Sequence, residues 1–343
     1  MSFLARVVGV LLSLVSSKIV LLLVIALLCL KVYLVQTKGV CRSTQMLEGK
    51  TVIVTGGNSG VRVGKVADII RRTNSISIVM NIDSSRRACL YVVYRGDRDG
   101  GPHCGSTGLL KVLPFKAEVS VTQAELEEAA EFAGSFSDTS EVQLTEDGYE
   151  VCFQSNYLGH FLLTILLCEL LKKSAPSRVV NLTSILHHIG STARLRDMAV
   201  GKQSWSHPVL VYSNTKMAML VFSRALAFKL KPHGVTVNAV HPGPVKTTIV
   251  EGASLSVSLF FNFIFNFFGK TPVEGAQTSI YAAVEPGLAN QTGKYLVDCR
   301  KDWISWNALG RARAQELFEA SLKLVQLDAA QVEKQLEAST SSL

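Results

Sequence analysis

Cysteine is scarce and unpatterned in this sequence: seven residues in 343, with no Cys-x-x-Cys pair. That excludes a disulfide scaffold and a zinc ribbon, and it suits a main domain held in reducing cytosol. No metal site is expected. Charge is thin as well, at 18% of the residues. The 35 basic residues exceed the 27 acidic ones by 8, but they form no long run, which argues against nucleic-acid binding. No internal repeat is visible. Apolar residues, in contrast, make up 48% of the chain, so a disordered polar chain is excluded. The length allows one large α/β domain or two small ones.

The apolar excess is concentrated at the start. Between Val7 and Val35 charge appears only at Lys18 and Lys31. As a helix, Ser13 to Val35 would extend roughly 33 Å, enough for a hydrocarbon core of about 30 Å. In that register the two lysines lie near opposite ends, where their stems reach the headgroups. A cleaved secretory peptide would have a shorter apolar region and a small-residue cleavage site after Leu30, and neither is present. Residues 1–42 are therefore expected to be a membrane anchor. Lys31, Lys38, Arg42 and Lys50 outweigh Arg6 and the amino terminus, which puts the body in the cytosol. The endoplasmic reticulum is the expected membrane. The glycosylation acceptor patterns at Asn181 and Asn290 would then stay bare.

The body, 43–328, alternates strands and helices. Lys50–Thr55 is β-branched and enters a glycine-rich turn; a helix is expected over Gly64–Arg72 and a strand around Ile76–Met80. Tyr157–Leu171 and Tyr212–Leu230 read as long helices, and Arg178–Leu182 and Val235–Val240 as strands. Such alternation predicts a Rossmann-like, doubly wound parallel sheet. Residues 329–343 read as a polar, loosely held tail.

Three features carry chemistry. After the first strand, Gly56-Gly57-Asn58-Ser59-Gly60 lets the backbone approach a pyrophosphate at a helix N-terminus, although ordinary turns also use glycine. Tyr212 and Lys216 stand four apart on a helix, so the ammonium lies beside the phenol and favours its phenolate; a packed tyrosine beside a solvated lysine is the alternative. Phe260 to Phe268 packs six Phe into nine positions. That density suits a lid over a long apolar substrate or a dip into the bilayer surface. Core packing or a dimer contact in a homo-oligomer would also account for it.

These motifs resemble the short-chain dehydrogenase/reductase family, and within it the membrane-bound retinol dehydrogenases. The likeness covers Glu48 to about Arg72, including Thr55-Gly56-Gly57-Asn58-Ser59-Gly60. It is strongest from Leu144 to about Asp328, through Thr145-Glu146-Asp147-Gly148, Asn156-Tyr157-Leu158-Gly159-His160, Asn181-Leu182-Thr183-Ser184, Tyr212-Ser213-Asn214-Thr215-Lys216 and His241-Pro242-Gly243-Pro244. The resemblance implies Tyr212 as general acid/base, Lys216 as its partner, Ser184 as the hydroxyl holding the reacting oxygen, and Asn156 as holder of a water linking Lys216 to solvent. Ser184 would otherwise be a helix or turn cap, and Asn156 a helix N-cap. The resemblance also implies NADP(H) or NAD(H) as cofactor, bound by Thr55, Gly56, Asn58, Ser59 and Gly60, by Tyr212 and Lys216, and by Pro242, Gly243 and Thr247 closing on the nicotinamide. Asp83, 23 residues beyond Gly60, stands where an acid would grip the adenosine ribose and favour NAD. Arg86 and Arg87 nearby leave the preference open. A lipophilic alcohol and its aldehyde or ketone, with retinol/retinal foremost, would be the substrate pair.

Two departures favour an alternative, a non-catalytic relative that binds lipid or partners. Arg62 stands where the family turn has its third glycine, unless Gly64 takes that role. The family's fourth strand and its Asn-Asn-Ala-Gly motif have no counterpart between Val121 and Thr145; Ala133-Gly134 is the nearest trace, and Cys89–Gly108 is foreign. Glu141–Leu144 is the segment left to fill that central place.

Overall fold

A computed structural model describes residues 18–45, 52–55, 77–82, 88–93 and 144–338, except 146, 194, 201–207 and 246–268. A 19-residue helix, α1 (Lys18–Gln36), comes first. Leu21, Leu22, Leu28, Tyr33 and Val35 on it are all exposed, so none of these side chains joins a protein core. Among the fully described residues no helix is long and apolar enough to cross a membrane; side chains 18–20 and 23 of α1, and all of 1–17, fall outside the description.

Two sheets follow. In the first, β1 (Val52–Thr55) pairs in parallel with β2 (Ser77–Ile82), with Val52 opposite Ser77. An antiparallel strand, β3 (Ala88–Val93), flanks β2 on its other side. That strand begins the stretch expected to be foreign to the fold. The second sheet has the order β4 (Ser177–Leu182), β5 (Val235–His241), β6 (Tyr295–Val297), β7 (Arg300–Lys301). Its first three strands are parallel, and β6–β7 is an antiparallel hairpin. The hairpin turns through Asp298 and Cys299, both at positive φ (49° and 56°), the backbone of a two-residue hairpin that follows strand twist.

Among the described residues no strand joins the two sheets. Leu144, the end of the segment expected to fill the gap, makes only an isolated antiparallel bridge to Glu150. The expected helix 64–72 and the Phe260–Phe268 segment lie outside the described residues.

The helices wrap the second sheet. α2 (Val151–Phe153) runs through a π-helical turn, Gln154–Leu158, into α3 (Gly159–Leu166) and then α4 (Cys168–Lys173). Glu150 starts it, its carboxylate accepting from the amides of Cys152 (3.0 Å) and Phe153 (2.6 Å). A short α5 (Leu195–Ala199) precedes α6 (Pro208–Leu230), which is buried along most of its length. α7 (Pro272–Val284) opens with a Thr271–Glu274 capping box and Pro272 in its first turn, two reinforcing start signals. α8 (Arg311–Leu324) packs on α6.

The core centres on aromatic rings from three helices. Phe161 lies 4.8 Å from Phe222 and 5.5 Å from Phe318, and Tyr157 lies 6.0 Å from Phe161. Each such pair contributes about 0.5–1.5 kcal/mol beyond area burial. The buried Tyr157 hydroxyl meets Ser321 Oγ at 2.7 Å, so no polar atom is orphaned there. The segment read as a loose polar tail proves helical, α9 (Ala329–Glu337), with Val332 and Leu336 buried. Glu337 lies outward, Glu333 pairs with Lys229 of α6 at 2.7 Å, and the two large apolar residues, four apart, point inward.

Candidate active site

The site is assembled where β4 and β5 end against α6. Thr183, one residue beyond β4, donates its hydroxyl to the Lys216 carbonyl (2.8 Å) and ties the strand exit to the middle of α6. Ser184 follows, buried, and starts a 3-10 turn, Ile185–Ile189. Its Oγ accepts the Leu186 amide at 3.3 Å, so it caps this turn as well as standing at the strand end.

On α6, Tyr212 and Lys216 are half-buried while Ser213, Asn214 and Thr215 between them are buried. The two half-buried residues share the outer face of the helix, as i and i+4 must. Lys216 Nζ lies 5.3 Å from the centre of the Tyr212 ring. Asn214 Oδ1 accepts the Ser191 amide (2.8 Å), which fixes the chain after the 3-10 turn to the same helix.

Asn156 is buried in the interior of the π-helical turn, not at a helix start as the capping alternative required. Its Nδ2 donates to Cys152 Sγ at 3.0 Å. Burial and the Glu150 carboxylate push the Cys152 thiol up to about 12, against the pull of Lys216, Asn156 and Thr215. The Cys152 thiol thus accepts from Asn156 and feels the charge of Lys216. Sequence reasoning missed it, although its place four residues before Asn156 on a helix was available as a signal.

His187 was also missed. Its Nδ1 meets the Ser184 carbonyl at 2.7 Å, and Nε2 lies 3.4 Å from the Ser305 amide. A neutral ring protonated at Nδ1 satisfies both contacts. Burial holds its pKa down to about 4, in keeping with that tautomer. The ring therefore braces the Ser184 backbone.

Pro242 and Gly243 follow β5. Gly243 has φ +84°, and a Cβ there would stand 2.9 Å from Lys270 Cε, so this turn needs glycine. The Lys270 amide donates to the Pro244 carbonyl (2.7 Å), and its buried ammonium pairs with Asp298. Ahead of this turn His241 is buried with Nδ1 unpartnered among the described residues. Burial foremost, then Lys270, holds its pKa down to about 4.

Of the remaining expected cofactor residues, Thr55 ends β1. Gly56, Asn58, Ser59, Gly60, Asp83 and Thr247 lie outside the described residues. Those described suit a nicotinamide riboside: a phenol and an ammonium side by side on one helix face, a tight glycine turn, and beside that turn a buried nitrogen with no partner among the described residues. A cavity of about 320 Å³ lined by Phe228, His233, Glu333 and Leu336 lies elsewhere. Phe228 is 16 residues, roughly 24 Å, along α6 from Tyr212.

Parallel strands wrapped by helices, with Ser184 at one strand exit and Tyr212 and Lys216 on the helix tied to that exit, suit an α/β oxidoreductase of the NAD(P)-dependent class. Comparison with known proteins agrees. A family model described as enoyl-(acyl carrier protein) reductase matches residues 126–264. Retinol dehydrogenase 12 of Bos taurus is 36% identical over 298 residues, covering 84% of this chain and 90% of the relative. Human retinol dehydrogenase 11 is 34% identical over 302 residues, covering 85% and 90%. Among solved structures, an uncharacterized protein from Mycobacterium paratuberculosis matches with a TM-score of 0.52 at 22% identity, over 83% of this chain and 96% of that one. The chain belongs to the short-chain dehydrogenase/reductase family.

Proposed function

We propose that the protein is a membrane-anchored, cytosol-facing oxidoreductase that interconverts a lipophilic alcohol and its aldehyde or ketone, with retinol and retinal as the pair. The observation that carries this reading is the Lys216 ammonium beside the Tyr212 ring, next to the strand exit that bears Ser184. The retinol dehydrogenases at 34–36% identity support the substrate class. The exposed apolar surface of α1 supports an anchor, since such a helix finds a low-energy environment only in lipid or against a partner.

The nicotinamide supplies or takes the hydride when bound. Tyr212 gives its phenolic proton to the carbonyl oxygen in reduction and recovers it in oxidation. Ser184 Oγ holds that oxygen in place. Lys216 favours the phenolate electrostatically and binds the nicotinamide ribose, and Asn156 serves its proton supply from the buried side. By the family pattern, Pro242, Gly243 and Thr247 would close on the carboxamide, and Thr55, Gly56, Asn58, Ser59 and Gly60 would hold the pyrophosphate. Positioned acid/base groups contribute about 10²–10⁴-fold. Tyr212→Phe in membranes bearing the full chain should therefore lower NAD(P)H-dependent retinal reduction by about 100-fold or more; unchanged turnover refutes the assignment.

A second reading, a non-catalytic relative, is favoured by Arg62 in the turn and by the missing Asn-Asn-Ala-Gly motif. Titration of the protein with NADPH and NADH separates the two. Binding of either supports the enzyme, and binding of neither supports the second reading.

A further inference from the structure

The geometry points to a second contact with the membrane: an aromatic and basic surface around Trp303 and Trp306 that docks the body on an anionic lipid bilayer, with the Ser184 end of the site turned toward it. This rests on the anchor reading above, and it concerns residues well separated from α1 in sequence.

Trp303 is 68% exposed and Trp306 86%; on the neighbouring 3-10 turn Ile185 and Ile189 are each 57% exposed. The two groups form one patch. The His188 ring lies 4.0 Å from the Trp303 ring, and the Ser305 amide reaches His187. Water is a poor neighbour for so much apolar surface, whereas the indole ring is suited to the headgroup level of a bilayer.

Charge specifies the kind of surface. From Cys299 to Arg313 the chain carries Arg300, Lys301, Arg311 and Arg313 against a single acid, Asp302. Arg311 is turned to the Phe228 ring, but Arg300, Lys301 and Arg313 are exposed, and the Arg313 guanidinium donates to the Asn307 carbonyl, next to Trp306. Exposed tryptophans with exposed Arg and Lys close by in the chain match negatively charged headgroups.

Position supplies the third argument. The chain leaving α1 is strapped to the body at the base of this patch. Lys38 pairs with Glu274 at 3.0 Å, the Gly39 amide donates to Asp298 Oδ1 at 3.1 Å, and the Cys41 amide donates to Gln277 at 3.1 Å. A Cβ on Gly39 would stand 2.0 Å from the Asp298 carbonyl carbon, so the strap lies hard against the β6–β7 turn. Trp303 is five residues from Asp298, which bounds their separation at about 18 Å. A membrane that holds α1 is therefore within reach of the patch. Ser184, whose carbonyl His187 holds at 2.7 Å, lies immediately behind it. A lipophilic substrate leaving the bilayer there would enter without crossing water.

The test uses the full chain carrying Trp205→Phe, which leaves Trp303 and Trp306 as its only tryptophans. It is reconstituted in phosphatidylcholine vesicles with and without phosphatidylserine, containing lipid brominated near the headgroup end of the acyl chain. Flotation and tryptophan emission are read together. The proposal expects flotation, loss of most of the emission to brominated lipid in phosphatidylserine vesicles, and recovery of that emission in the added variant pair Lys301→Glu and Arg313→Glu. A chain that floats but keeps its emission and is quenched by aqueous iodide retains its anchor and overturns the docking surface. Protection from both quenchers overturns it too, in favour of a covering protein copy. Equal quenching with and without phosphatidylserine overturns the anionic assignment, and failure to float overturns anchor and surface alike.

Discussion

Replacing Gly190 by alanine tests whether the turn that bears Ser184 and the helix that bears Tyr212 are seated as closely as the geometry requires. Gly190 has φ −79° and ψ 162°, a backbone any residue adopts, so the effect would be steric alone. The new Cβ would lie 2.3 Å from the Ser213 carbonyl oxygen and 2.8 Å from Met217 Cβ, where ordinary contact begins near 3.4 Å. The shortfall is 3.4 − 2.3 = 1.1 Å, against backbone that belongs to a buried helix. Either the packing absorbs it, at about 1–3 kcal/mol of stability, or the 3-10 turn backs away from α6 and carries Ser184 with it. A misplacement of about 1 Å lowers turnover by up to about 100-fold. Urea unfolding followed by circular dichroism gives the first quantity, and kcat for retinal reduction gives the second. If the variant matches the unaltered protein in both midpoint and kcat, the close seating of turn on helix is wrong.

Two further outcomes follow from buried groups. Burial raises the Glu150 carboxyl to about 7, against the lowering bonds from the Cys152 and Phe153 amides. The folded state therefore holds this proton more tightly than the unfolded chain, and the stability it confers below pH 4.5 is lost as pH rises through 7. The difference, 7 − 4.5 = 2.5 pH units, corresponds to about 3 kcal/mol. His187 and His241, each held near 4 by burial, act in the opposite sense: their contribution is present above 6.5 and lost as pH falls toward 4. Glu150→Gln should expose that histidine slope, so the urea midpoint climbs between pH 4 and 6.5 more steeply than in the unaltered protein; a difference independent of pH contradicts the titration. Leu336→Ala, at a fully buried position of α9, should lower unfolding stability by about 2–5 kcal/mol; a change under about 0.5 kcal/mol would mean that the helix is not docked.

The C-terminal half of the body was the more legible part of the sequence. Arg178–Leu182 follows Pro176 with Val179-Val180 at its centre, Val235–Val240 runs between Gly234 and Pro242, and each strand extends just one residue beyond its expected limits. The closeness of Tyr212 and Lys216 is legible because helix geometry alone fixes it. What escaped detection depends on tertiary partners. Asn156 looks like a helix start because polar residues cap helices, yet Glu150 takes that role and a π turn draws Asn156 inward. Ala88–Val93 pairs with β2 although it is a short apolar run without alternation beside a Gly-rich, charged stretch. α9 declares itself only by two inward apolar residues.

Asp298 gathers several demands into one side chain. Burial opposes its ionisation, but the bonds from Lys270 and the Gly39 amide outweigh it and keep the carboxyl below its ordinary range. The same carboxylate thus grips the stem that leads from α1 and, through Lys270, the glycine turn after β5. A pull on the stem would be felt at that turn through a single shared anchor point. The posture of the stem after α1 and that of the glycine turn after β5 are mechanically joined in this chain through one carboxylate.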